Sequence, residues 1–187
     1  MKKDEKTLAL YGGSFDPPHL GHVAVVKAAL KKLHPDKLIV MPAYLSPFKH
    51  AHAAPPDLRL KWLKKVMDFD PRIEVSDYEL QKKGPSYTID TVRHFAPRYD
   101  TIYLIIGADN LESLPKWHRF DELNRTVTWV VAARDDTPIP PGFILLDVDA
   151  PISSTRLRER PDPHWIPEAI REEVIQYYHR NPQTKGE

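Results

Sequence analysis

Gly12-Gly13-Ser14-Phe15-Asp16-Pro17-Pro18-His19-Leu20-Gly21-His22 is the stretch from which the rest of this chain can be read. It follows a short apolar run, Leu8-Ala9-Leu10-Tyr11, and precedes an amphipathic segment in which Leu20, Val23, Ala24, Lys27 and Leu30 recur at helical spacing. That order describes a strand, a tight loop and a helix start. Two glycines and a hydroxyl at such a turn let backbone N–H groups approach an anion, and the helix dipole favours negative charge there. The loop reads as a phosphate site. It has neither the Gly-Lys-Ser/Thr ending of a P-loop nor the Gly-x-Gly-x-x-Gly of a dinucleotide fingerprint.

Instead, two imidazoles sit three residues apart around a glycine. On a first helical turn, that spacing puts His19 and His22 on one face, over whatever anion the turn holds. Imidazoles near neutral pH can donate charge-assisted hydrogen bonds to a phosphoryl group as its geometry changes. Two alternatives stand beside this reading: either histidine caps or fills a loop, or Asp16, His19 and His22 ligate a metal. Against the metal, Pro17 and Pro18 separate the carboxylate from the rings, and no other His/Asp cluster completes a shell.

Near the other end, Ile152-Ser153-Ser154-Thr155-Arg156-Leu157-Arg158 places hydroxyls and a guanidinium at a predicted helix start. Such a group can hold a polyphosphate by several oxygens, or simply cap a basic amphipathic helix. Together, the His-x-Gly-His loop and this Ser-x-Thr-x-x-Arg run resemble the two signatures of the nucleotidylyltransferase superfamily, and specifically the bacterial nicotinate-nucleotide adenylyltransferases. Pro85-Ser86-Tyr87-Thr88, Gly107-Ala108-Asp109 and Leu114-Pro115-Lys116-Trp117 fall between them in the family's order, so the resemblance spans 8–160.

The resemblance implies a Rossmann-like α/β fold and adenylyl transfer from ATP to nicotinate mononucleotide, giving the deamido dinucleotide and pyrophosphate. His19, His22, Lys49 and Arg158 are the implied catalytic residues. ATP is implied to meet Gly12, Gly13, Ser14, Phe15, His19, His22, Gly107, Asp109, Arg134, Ser153, Ser154, Thr155 and Arg158. The mononucleotide is implied to meet Ser14, Lys49, Ser86, Tyr87, Thr88 and Trp117. Two positions depart from the family pattern: Phe48 stands where a histidine is usual before the cation Lys49, and Ser14 replaces the common threonine.

The residue types give partial support of their own. Asp109 can accept from ribose hydroxyls or cap a turn. Trp117 offers a flat face for a pyridine ring or belongs to the core. Ser86-Tyr87-Thr88 reads as a set of helix-start donors to a carboxylate, or as an N-cap by Ser86. Magnesium is expected to arrive on the ATP phosphates, with no dedicated metal site. An amidated mononucleotide or phosphopantetheine is the alternative acceptor; a nucleotide sensor without catalysis is the alternative class.

Composition bounds these readings. A length of 187 residues predicts one nucleotidylyltransferase domain over 1–187 with a sizeable core. A net charge of +1 advertises neither nucleic acid nor a membrane surface. The absence of cysteine excludes disulfides, thiolate zinc and a cysteine nucleophile. No apolar stretch reaches the roughly 18 residues of a membrane span, and the N-terminal segment has too few apolar residues for a signal peptide, which points to a cytoplasmic protein. Self-association into a homo-oligomer stays open.

Strands are predicted over 8–11, 38–41, 73–75, 102–106, 127–132 and 143–146, and helices over 20–33, 58–67, 88–95, 120–124, 154–159 and 167–178. Near-continuous apolar strands such as 102–106 predict burial on both faces, hence an open parallel sheet with helices on both sides. In such a sheet, ligands bind beyond the carboxyl ends of the strands at the switch point.

Overall fold

The computed structural model describes residues 5–45, 53–134 and 136–182. Six parallel strands form one sheet: β1 (Thr7–Gly13), β2 (Lys37–Pro42), β3 (Ile73–Val75), β4 (Thr101–Gly107), β5 (Thr128–Ala133) and β6 (Ile144–Asp147), in the order β3-β2-β1-β4-β5-β6. Side chains along a strand alternate between faces. Ala9 and Tyr11 of β1 therefore enter one core while Leu8 and Leu10 enter the other. The same division sends Leu38 and Val40 of β2 one way and Ile39 and Met41 the other. Both faces are dry, which is why these strands read as unbroken apolar runs.

Helices α1 (Leu20–Leu33), α2 (Pro56–Val66), α6 (Ser154–Glu159) and α7 (Arg171–Arg180) supply the first core; α4 (Thr88–Phe95) and α5 (Phe120–Thr126) supply the second. The predicted strands are present, each extended or shifted by a residue or two except 73–75, which is met at both ends. The helices over 20–33, 88–95 and 154–159 also stand as predicted. Three differences are physical. α2 begins two residues early because Pro56 fits the first turn, where its missing N–H costs nothing. The helix read over 167–178 is a 3₁₀ turn, Glu168–Ile170, leading into α7. A short α3 (Tyr78–Lys82) was not predicted, since five residues are too few to show a period. Among the described residues, no helix is long and apolar enough to cross a membrane.

Candidate active site

The chain leaves β1 for β2 on one side and returns to β4 on the other, so β1 and β4 flank the switch point. A cavity of about 620 Å³ opens there, lined by the ends of both strands and by residues of the following turns. Gly12, Gly13, Ser14 and Phe15 form its β1 side, Gly107, Asp109 and Asn110 its β4 side. Side chains crowd the backbone at two of these points. A Cβ on Gly13 would lie 3.2 Å from the Phe15 ring, and one on Gly107 only 2.5 Å from Asp109 Oδ1. Phe15 itself turns the loop with a positive φ of 47°.

The histidine pair is built into the start of α1. His19 is the N-cap, and its backbone N–H donates to Nδ1 of His22 at 3.0 Å. With Nδ1 accepting, a neutral His22 carries its proton on Nε2, the donor left for a ligand. The two rings stack at 3.7 Å, and Phe15 packs edge-on against His22 at 4.8 Å. Gly21 makes the stack feasible, since a Cβ there would meet the His19 ring at 2.9 Å. Burial holds His19 at about 4, and burial together with His19 holds His22 well below its ordinary range. This corrects the expectation of cationic imidazoles: before a ligand binds, the pair is neutral. His22 lines the cavity, and His19, 5% exposed with no partner for Nδ1 among the described residues, stands behind it.

The metal alternative fails on Asp16. Its carboxylate is 2% exposed and accepts from the N–H groups of Ala53 (2.8 Å) and Ala54 (3.0 Å) and from the Tyr178 hydroxyl (2.6 Å). It is a tie between segments. Among the described residues, no group of three His, Cys, Asp or Glu could hold a metal ion.

The second signature meets the first directly. Arg158 donates from Nη1 to the Asp16 carbonyl at 2.7 Å and from Nη2 to Thr155 Oγ1 at 3.2 Å. Ser154 Oγ donates to the Pro17 carbonyl at 2.9 Å, so this hydroxyl joins the two signatures; Ser153 is the N-cap of α6, accepting from Arg156 N–H. Ser153 and Thr155 remain exposed beside Arg158.

Arg59 was not anticipated. It is fully buried and donates to the carbonyls of Ser14 (2.6 Å), Ala43 (2.9 Å) and Ala54 (3.1 Å), tying the loop after β1 to both ends of the connection between β2 and α2. A lone arginine in the predicted helix 58–67 reads as a solvated cation, and nothing local marks it otherwise.

At the far end of the cavity stand Trp117 and the start of α4. Trp117 is half-buried: its ring meets Trp129 edge-on at 6.2 Å and its Nε1 donates to Ser113 Oγ, so it belongs to the core and to the cavity wall at once. The N-cap of α4 is Tyr87, not Ser86. Ser86 N–H donates to the Leu45 carbonyl and Ser86 Oγ accepts from Tyr44 N–H, so its amide is unavailable to a ligand, although Ser86 lines the wall together with Tyr87 and Thr88. Glu79, also unanticipated, lines this end; burial raises its pKa, and Thr91 Oγ1 donates to it at 2.6 Å. Its signal was hidden with α3.

Arg134 follows β5 as expected but is exposed and does not line the cavity. Phe48 and Lys49 lie outside the described residues.

A cytidylyltransferase-like family model matches residues 10–160. A probable nicotinate-nucleotide adenylyltransferase of Sulfurimonas denitrificans is 48% identical over 172 residues, covering 92% of this chain and 94% of the relative. That of Nitratiruptor sp. is 44% identical, covering 91% and 98%. A Plasmodium falciparum nicotinic acid mononucleotide adenylyltransferase, solved in complex with NaAD, shares the fold with a TM-score of 0.75 at 18% identity, covering 95% of this chain and 100% of that one. The switch-point cavity, the histidine loop and the Ser-x-Thr-x-x-Arg helix thus sit in a chain that belongs to the nicotinate-nucleotide adenylyltransferases of the cytidylyltransferase-like family.

Proposed function

We propose that this chain transfers the adenylyl group of ATP to the phosphate of nicotinate mononucleotide, and that residues 1–187 act as one domain in doing so. Family membership supports the activity. The observation that carries it is His22, half-buried, lining the cavity and held by the His19 amide so that its Nε2–H is left as the donor.

An oxygen of the mononucleotide phosphate attacks the α-phosphorus in line. The bond from that phosphorus to the bridging oxygen breaks, and pyrophosphate leaves with the electron pair. No protein nucleophile is needed, so the protein's part is position and charge. His22 and His19 stabilise the α-phosphoryl group, and its negative charge raises their pKa values on arrival. Gly12, Gly13 and Ser14 approach the phosphates by backbone, while Ser153, Thr155 and Arg158 hold the departing end, with Arg134 as a peripheral cation. Gly107 and Asp109 face the adenosine ribose. Lys49 is the second clamp. Magnesium comes with ATP, on its phosphates.

Trp117 stacks the pyridine ring, and the amides of Thr88 and Ile89 that open α4 face its carboxylate. A carboxylate only accepts hydrogen bonds, whereas an amide turns an NH₂ toward these donors. Preference for nicotinate over nicotinamide mononucleotide should exceed roughly tenfold in kcat/KM. The test is pyrophosphate release from ATP with nicotinate mononucleotide, nicotinamide mononucleotide and phosphopantetheine in parallel. Release independent of any acceptor, or equal with acid and amide, would overturn the assignment.

The two substrate sites can be separated. Arg158→Ala should raise the KM for ATP by roughly tenfold or more, as expected for one charge-assisted phosphate contact. Trp117→Ala should raise the KM for the mononucleotide instead. Steady-state kinetics with each substrate varied in turn decides it, and the reverse pattern would invert the two pockets.

A further inference from the structure

The family model ends at residue 160, yet the histidine loop is tied to a helix beyond it. Tyr178 of α7 is 3% exposed and donates its hydroxyl to Asp16 Oδ1 at 2.6 Å, across 162 residues of chain. The ring packs against Trp62 at 6.1 Å and Tyr177 at 5.1 Å, so it approaches Asp16 from a fixed direction. Tyr177, its neighbour, donates to the Ala53 carbonyl at 3.0 Å, in the same segment whose amides bind Asp16.

Asp16 is separated from His19 only by Pro17 and Pro18, whose rings fix φ at two successive residues. A rotation of the Asp16 backbone is therefore transmitted to the N-cap rather than absorbed. Arg158 holds the Asp16 carbonyl and Tyr178 the carboxylate, so the residue is gripped at both ends.

We propose that Tyr178 is a positioning residue for adenylyl transfer, fixing Asp16 and, through Pro17 and Pro18, the orientation of the stacked His19 and His22 pair. The proposal rests on the adenylyltransferase reading for its kinetic arm alone. Tyr178→Phe keeps the ring and removes the hydroxyl. In the full chain it should lower kcat roughly tenfold, since small misplacements of catalytic groups are costly. The KM values for ATP and mononucleotide should stay within about twofold, because binding contacts are retained. In the free protein, exchange of the His19 amide, which is protected by His22 Nδ1, should accelerate, and the His22 imidazole nitrogen shifts should move.

The spectroscopic arm needs no substrate, so it stands whichever acceptor the chain uses. Unchanged His19 exchange with unchanged kcat would overturn the proposal. So would a loss of melting temperature with the His19 amide still protected, which marks a purely structural contact. Should Tyr178→Phe fail to fold, Asp16→Asn, which replaces one acceptor of the same tie by a donor, is read by the same exchange measurement. Faster His19 exchange supports the proposal, and wild-type exchange overturns it.

Discussion

His22→Ala is expected to lower turnover roughly 10²–10³-fold, the scale of losing one preorganised donor to a developing charge. Nucleotide affinity should weaken far less, because in the proposed assignment Arg158, Ser153 and Thr155 hold ATP by other phosphates. His19→Ala should fall in the same range, since removing the stacked ring frees His22 to turn. Kinetics beside isothermal binding of ATP tests this, and near-normal turnover in His22→Ala would refute the mechanism. The pair also carries a signature in stability. Unfolded, both rings titrate near the ordinary 6.5; folded, burial holds His19 at about 4 and His22 well below 6.5. The unfolded chain binds more protons as pH falls through 6.5, so stability should decline from there toward pH 4. Urea titrations of His22→Ala should show a shallower decline.

Arg59→Leu is expected to destabilise the fold by about 3–5 kcal/mol, the scale of breaking a buried charged network. Its guanidinium satisfies the carbonyls of Ser14, Ala43 and Ala54, which are left without that donor when it goes. Arg59→Lys should recover little, because an ammonium is a point donor and cannot span three separate carbonyls as a planar fork does. Denaturant midpoints of both variants check this, and a loss below about 1 kcal/mol would show that the loops are held by other contacts.

The middle of the sheet was legible because β1, β2, β4 and β5 repeat one message: both faces are largely dry, so apolar residues run on without alternation. The helix over 20–33 was legible for the converse reason, an apolar stripe opened by a definite loop. Signals in the histidine loop were local too, since spacing alone puts two rings on one face. What escaped the sequence depends on partners far along the chain. Arg59 looks like any surface cation until Ser14 and Ala43 are brought over it. Ser86 looks like a free N-cap until the 43–45 segment takes its amide and hydroxyl. Neutral imidazoles where cations were expected have the same origin: burial belongs to the fold, not to the residue.

The position of β1 governs when this protein first becomes able to bind anything. Its central strand must pair with β4, and Lys6 N–H already reaches Asp100 across 94 residues. Closing so long a loop is slow and entropically costly, and it precedes any reward from the cavity. A nascent chain that has not yet emerged through Gly107 has only one bank of the cleft, and one that stops before Arg158 and Tyr178 lacks the ties that return to Asp16. Ligand can therefore stabilise the chain, by mass action, only once both banks of the cleft have formed. A product that stops before β4 gains nothing from abundant ATP and leaves one edge of β1 unpaired, open to proteolysis.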